Sequence, residues 1–237
     1  MSRRWGGWAG PVGWVLACAL VVLASEARAQ SAIGLGATFF FDSGEREDDE
    51  RIGPRHDVTR EDVTNPRFAA GVISYLHALS DTPREGFRLG GELRYLGTYA
   101  TESDDDEGRR DIGTLFELGF RGEWTTEIAD KLGLALGLRL DLAMVFPTGD
   151  FAAEIDRLAD EGVPTSSGPR FGWSIVPMVG ARYELHERVH ARLDLGLGWS
   201  ALELLGIDET VQGIAYQRDE TLSVTRFEVS LAIELSL

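Results

Sequence analysis

Eight stretches of the chain alternate apolar and polar side chains, near residues 31–42, 68–79, 87–99, 112–124, 133–146, 171–185, 189–201 and 222–237. A period of two is the pattern of a β-strand with unlike faces. A tilted strand crosses a hydrocarbon layer in about 9–11 residues, so each run is long enough to span a bilayer. The last run, FEVSLAIELSL, sets Phe227, Val229, Leu231, Ile233, Leu235 and Leu237 against Glu228, Ser230, Ala232, Glu234 and Ser236. The second, FAAGVISYLHAL, alternates weakly and its faces stay unassigned. Pro177 interrupts the sixth, where a missing ladder donor predicts a bulge.

The connections alternate in length. Those at 43–67, 147–170 and 202–221 are long, 100–111 is intermediate and acidic, and those near 80–86, 125–132 and 186–188 are short. Long loops on one side and tight turns on the other predict an all-β, eight-stranded antiparallel up-and-down transmembrane β-barrel. With eight strands both termini fall on the short-turn side. Within 147–170, Phe151, Ile155 and Leu158 share one helical stripe, which predicts a short helix over the barrel mouth.

The apolar face of the clearer strands is a wall of large side chains: Phe87, Leu89, Leu93, Tyr95 and Tyr99 in the third; Ile112, Phe116, Leu118, Phe120 and Trp124 in the fourth; Leu134 to Met144 in the fifth. The opposite face carries full charges: Arg88, Glu92, Arg94, Glu117, Arg121, Glu123, Arg139, Asp141, Arg182, Glu184, Arg192, Asp194, Arg226 and Glu228. Many come as opposite-sign pairs two residues apart: Glu92/Arg94, Arg121/Glu123, Arg139/Asp141, Arg182/Glu184, Arg192/Asp194 and Arg226/Glu228. Such residues share a face about 6.6 Å apart. With Glu234 the inward set has seven arginines and eight acids, close to neutral. A solvated face has no need of that balance; a narrow interior does, because an uncompensated buried charge costs several kcal/mol. Aromatics form two belts, with Phe39, Phe41, Tyr99, Phe146, Phe171, Trp173 and Trp199 toward the long loops and Phe87, Trp124 and Tyr183 toward the short turns. Lipid is therefore expected outside and a salt-bridged network inside. The final strand is expected to pair with the first, which removes the open edge that hydrocarbon does not tolerate.

Composition narrows the partners. Residues 1–29 read as a secretory signal peptide: Arg3 and Arg4, an apolar run from Val12 to Ala24, and Ala27-Arg28-Ala29 before the cleavage point. A lipoprotein signal ending at Cys18 is the rival, but the apolar run continues past that residue. Residues 30–237 form one barrel domain without cysteine, so disulfides play no part. Over those residues 20 basic side chains face 38 acidic ones, which argues against nucleic acid as a partner.

Candidate chemistry is sparse. The acidic stretches Glu45–Glu50 and Glu102–Gly108 do not follow a calcium-loop spacing and read as solvated, with no metal or cofactor expected. Four histidines follow residue 30: His56, His77, His186 and His190. None stands two residues from a serine on a shared face. A nucleophile needs its base within hydrogen-bond reach, so no catalytic residues are assigned and no enzyme is expected.

At the level of architecture residues 30–237 resemble the small outer-membrane barrels of the OmpA/OmpX type, on the signal peptide, the eight strands, the alternating loops and the C-terminal strand. The resemblance implies the outer membrane of a Gram-negative-type bacterium, periplasmic termini, and lipid and the barrel-insertion machinery as partners. It also implies charged loops outside for extracellular contacts. The function expected is a structural or surface-interaction protein without catalysis. The alternatives are a narrow, porin-like channel for small or apolar molecules and a lipid-modifying enzyme.

Overall fold

The computed structural model describes residues 31–79, 85–103 and 108–237, without the side chains of 66–70 and 103. The expected signal peptide and the core of the acidic stretch 102–108 lie outside the described residues. Eight strands follow one another: β1 (Ser31–Ile52), β2 (Arg55–Ala78), β3 (Gly86–Ser103), β4 (Arg109–Ala129), β5 (Leu132–Pro147), β6 (Arg170–His186), β7 (Val189–Val211) and β8 (Ile214–Ser236). One helix, α1 (Gly149–Asp160), stands between β5 and β6. All neighbours pair antiparallel, and β8 pairs with β1 from Ala32↔Ser236 to Ile52↔Tyr216, closing the barrel. The fold is a closed, eight-stranded, antiparallel up-and-down β-barrel.

The two faces segregate as the alternation predicts. Leu35, Leu136, Leu142, Leu197, Leu231 and Ile233 are exposed on the outer wall, while Arg94, Arg139, Glu117 and Glu123 are at most 1% exposed inside. Phe39, Phe41, Phe146, Phe171, Trp173, Trp199 and Phe227 ring the outer wall at one level, and Phe87, Trp124 and Tyr183 at the other. In β2, Val72, Leu76 and Ala78 turn inward and Ile73 outward, with Leu79 exposed just after the strand, which assigns the faces of the weak second run.

Two side chains expected on the lipid face lie inside. Tyr99 is 3% exposed and Ile112 is fully buried. The β3–β4 register shifts between Tyr95 and Gly97, and again between Tyr99 and Ala100, where Ile112 is the extra residue. Each one-residue shift reverses the face that a side chain points to. Pro177, by contrast, brings no bulge: the β6–β7 register is the same at Ile175↔Trp199 and Met178↔Gly196, and the two positions between go unpaired.

The largest departure is above the upper aromatic ring. Residues 43–67 and 202–221, expected as loops, are mostly strand. β1 and β2 run on to a turn at Gly53-Pro54, and β7 and β8 to Gln212-Gly213, both of which take positive φ as a two-residue hairpin turn requires. The β1–β8 ladder continues to Ile52↔Tyr216, so β2, β1, β8 and β7 rise as one four-stranded blade. Ten residues beyond Asp42 make it roughly 30 Å long at about 3.3 Å per residue. In β1 and the start of β8 no apolar stripe marks the extension in sequence, because both faces meet water or charge; β7 instead buries Leu202, Leu204, Leu205 and Ile207 in the apolar cluster. Cross-strand ion pairs hold the blade: Arg46 Nη2 to Glu61 at 2.8 Å, Arg60 Nη2 to Glu47 at 3.2 Å and Arg218 Nη2 to Asp48 at 2.7 Å.

Candidate functional site

The interior holds two stacked layers. The lower is ionic. Glu123 accepts hydrogen bonds from three arginines: Arg88 Nη1 at 3.1 Å, Arg121 Nε at 2.9 Å and Arg192 Nη1 at 3.0 Å. Glu234 takes Arg192 Nη1 at 2.9 Å and Arg182 Nε at 2.8 Å. Asp194 accepts from Arg192 Nε at 2.8 Å and Arg121 Nη2 at 2.9 Å. Higher, Glu228 binds Arg139 Nη1 at 2.7 Å and Arg94 Nη1 at 3.0 Å, and Asp141 binds Arg139 Nε at 2.8 Å and Ser174 Oγ at 2.7 Å. Glu117 accepts from Arg94 Nη1 at 3.1 Å and from Arg226. Glu92 lies 3.3 Å from Arg94 Nε and 3.4 Å from Arg121 Nη1.

Most of the charges singled out along the inward parity meet in this interior, and four of the six along-strand pairs form. Glu92/Arg94, Arg121/Glu123, Arg139/Asp141 and Arg192/Asp194 pair along their own strands. Arg226 and Glu228 do not bond each other; Arg226 reaches Asp42 and Glu117, and Glu228 reaches Arg139 and Arg94. Arg182 turns to Glu234, His190 and Ser236, and Glu184 is half-buried at the short-turn rim. Asp42 was missed. It is 1% exposed and accepts Arg226 Nε at 2.7 Å and Tyr99 Oη–H at 2.9 Å. Its signal was an acid of lumen parity at the end of the first run.

Glycines on the inner face give the arginines room to bend. A Cβ on Gly119 would lie 2.3 Å from Asp141 Oδ1, and one on Gly180 2.1 Å from Asp194 Oδ1. The charges opposite glycines in the sequence are this steric complement.

Above the ions lies an apolar layer of Phe40, Leu96, Tyr99, Ile112, Leu115, Val145, Leu202 and Leu204, with Arg226 stacked 4.7 Å from the Phe40 ring centre. Helix α1 covers it, as its apolar stripe predicts: Phe151, Ile155 and Leu158 are buried in the same cluster. Glu154 pins the helix by ion pairs to Arg110 and, at 2.7 Å, to Arg218 Nη2. Asp150 Oδ2 accepts the Asp111 backbone N–H at 2.9 Å. The helix and blade enclose a polar recess of about 450 Å³ lined by Arg46, Glu61, Arg110, Asp150, Glu154 and Arg218. Above the membrane, burial pushes the Glu220 carboxyl up, although Arg110 hydrogen-bonds it. Burial, with Glu50 accepting its hydrogen bond, pushes the Tyr216 phenol up to about 12.

The structure brings one serine to a histidine that sequence spacing did not. Ser31 Oγ lies 3.0 Å from His77 Nδ1 and 3.0 Å from Tyr75 Oη, through the Ser31↔His77 pairing of β1 and β2. Among the described residues no carboxylate hydrogen-bonds His77. The described residues also hold no cluster of three potential metal ligands.

No family model matches the chain, and no curated protein matches it. Solved structures similar to it include the outer membrane protein OprG from Pseudomonas aeruginosa, at 10% identity and a TM-score of 0.46, covering 89% of this chain and 98% of that one. The solid-state NMR structure of the outer membrane protein AlkL is similar at 10% identity and a TM-score of 0.39, covering 100% and 97%. Neisserial surface protein A is similar at 15% identity and a TM-score of 0.37, covering 84% and 97%.

Proposed function

We propose that this chain is a non-catalytic outer-membrane barrel that holds a rigid charged blade above the cell surface for contacts there, with its termini in the periplasm. The observation that carries the reading is the continuous ladder from the membrane wall into the blade, β2–β1–β8–β7, over an interior occupied by side chains at both levels. Eight strands leave an interior about as wide as its own side chains. Here arginine–carboxylate contacts of 2.7–3.1 Å bridge it, and an apolar layer and a helix stand above them. A barrel built this way spends its interior on rigidity and its outer strands on display.

Two measurements on the whole protein test the reading. In planar bilayers, repeated insertions give no conductance steps; steps of uniform size return the interior to the channel reading. Shortening the β1–β2 hairpin to a turn between Gly44 and Val63 leaves a heat-modifiable, folded barrel on a gel and abolishes adherence of expressing cells to surfaces. Unchanged adherence removes the blade from the account.

A further inference from the structure

We infer that helix α1 is a pH-sensitive latch on the barrel mouth, tightened when the buried Glu220 takes a proton and loosened when Glu220 is ionised. This stands apart from the surface role, because it concerns how the mouth is closed and not what the blade touches. Glu154 ties α1 to two strands: one carboxylate oxygen meets Arg110 on β4, and the other lies 2.7 Å from Arg218 Nη2 on β8. Both arginines also face Glu220 on β8. Its Oε1 accepts Arg110 Nη1 at 2.6 Å, and its Oε2 lies 3.6 Å from Arg218 Nη2. Two carboxylates, one on the helix and one on the wall, therefore share two arginines.

Glu220 is poorly supported as an anion. It is fully buried, and its Oε2 has no hydrogen-bond partner among the described residues. Arg218 is committed elsewhere: Nε and Nη2 bind Asp48 at 2.9 and 2.7 Å. Asp48 itself stands directly opposite Glu220 in the β1–β8 ladder. Also from β1, Arg46 Nη1 is 3.8 Å from Glu220 Oε1, but its Nη2 binds Glu61 of β2 at 2.8 Å. On the β7 side the opposite residue is Leu205, which brings no charge. Arg46, Arg110 and Arg218 thus balance Asp48, Glu61 and Glu154, and ionising Glu220 leaves one negative charge in excess. A buried oxygen without a partner costs far more when charged than when neutral. In agreement, burial pushes this carboxyl up, and Glu154 adds to the rise against the pull of Arg110 and Arg218.

Docking and proton binding are linked through Glu154. With α1 docked, the Glu154 carboxylate occupies the same two arginines and disfavours a second negative charge beside them. With α1 lifted, Glu154 leaves, water reaches the cluster, and both arginines turn to Glu220. The lifted state therefore favours ionised Glu220 and the docked state the neutral form, so a proton on Glu220 favours docking in return. While Glu154 keeps its charge, docking is tightest on the acid side and weakens as pH rises. What the latch covers is apolar: Phe151, Ile155 and Leu158 are buried in the cluster that fills the mouth. Lifting α1 brings that surface to water.

The test is amide hydrogen exchange of the full protein in lipid nanodiscs, read as protection factors, which are corrected for the intrinsic effect of pH on exchange. The amides of α1 are expected to be at least about threefold better protected at about pH 5, just above the ordinary glutamate value, than at about pH 8. Those of β5 are expected not to change. Glu220→Gln, neutral at every pH, is expected to keep the acid-side protection of α1 at both values. Glu154→Gln, without the anchor, is expected to leave α1 poorly protected at both. Equal protection of α1 at the two values in the unsubstituted protein, or stronger protection at the higher one, overturns the idea, and that result needs no variant to fold. A matching change in β5 overturns it as well, because the opening would then be global. So does a pH step that survives Glu220→Gln, since another group would be the switch, or a helix as well protected in Glu154→Gln as in the unsubstituted protein.

Discussion

Arg94 on β3 and Glu228 on β8 are 134 residues apart in sequence, and their Nη1 and Oε2 atoms are 3.0 Å apart. Two strands, β1 and β2, lie between them around the wall, so the contact crosses the lumen. Contacts of this kind convert a ring of strands into a solid body, because they fix the distance between strands that share no ladder.

The first prediction follows from that contact. Glu228→Ala strands Arg94 and Arg139 without one of their carboxylates in a site where both are at most 1% exposed. Removing one partner of a buried ion pair costs about 3–5 kcal/mol. Urea unfolding in lipid vesicles is expected to show that loss. Glu47→Ala on the solvated blade, whose partner Arg60 is 63% exposed, is expected to leave the unfolding midpoint unchanged.

Gly119→Ala tests the steric fit of the inner face. The added methyl would lie 2.3 Å from Asp141 Oδ1 and 3.1 Å from Arg139 Cδ, so the ion pair must move. Overpacking of this kind costs about 1–3 kcal/mol. Gly162→Ala, where a Cβ would meet nothing within 4 Å but φ is +83°, separates backbone strain from crowding. Its loss is expected to be smaller and confined to the loop after α1.

Phe151 anchors the helix over the apolar layer and is fully buried. Truncating such a side chain to alanine costs about 3–5 kcal/mol where the loss is global. Here the helix follows β5 as a separate element, and the expected outcome is local: Phe151→Ala exposes residues 147–169 to protease while the barrel keeps its heat-modifiable migration. A barrel that unfolds together with the helix would show that α1 is part of the cooperative core.

The blade carries a pH dependence of its own. The Tyr216 phenol donates to Glu50 Oε1 at 3.0 Å, and its pKa is raised to about 12 against an unfolded value of about 10. A raised value means that the contribution to stability is complete below pH 10, falls between about 10 and 12, and is gone above. The difference in phenolate absorbance between the protein and Tyr216→Phe is expected to titrate near pH 12. A midpoint near 10 would mean that the phenol is neither buried nor bonded.

The membrane-spanning cores of the strands were legible in the sequence because lipid outside and ions inside leave alternation as the one workable pattern. Legibility failed where that segregation ends or is interrupted. Tyr99 and Ile112 read as lipid-facing because a bulge reverses parity without altering composition. Residues 43–52 and 214–221 read as loop because a strand with water or charge on both sides carries no apolar stripe. Spacing along one strand found Arg139/Asp141 but could not find Arg226 with Asp42, or Ser31 with His77, because those depend on the register between strands. The helix was readable from three residues, Phe151, Ile155 and Leu158, because its period of 3.6 interrupts a sequence otherwise written in twos.

The account rests on which wall meets lipid, and one NMR measurement in lipid nanodiscs tests it directly. Leu195 is 41% exposed on the outer wall, and Val176 is fully buried on the inner one. NOEs from lipid acyl protons are predicted at the Leu195 methyls and absent at those of Val176. Acyl contacts at Val176, with water contacts at Leu195, would contradict it.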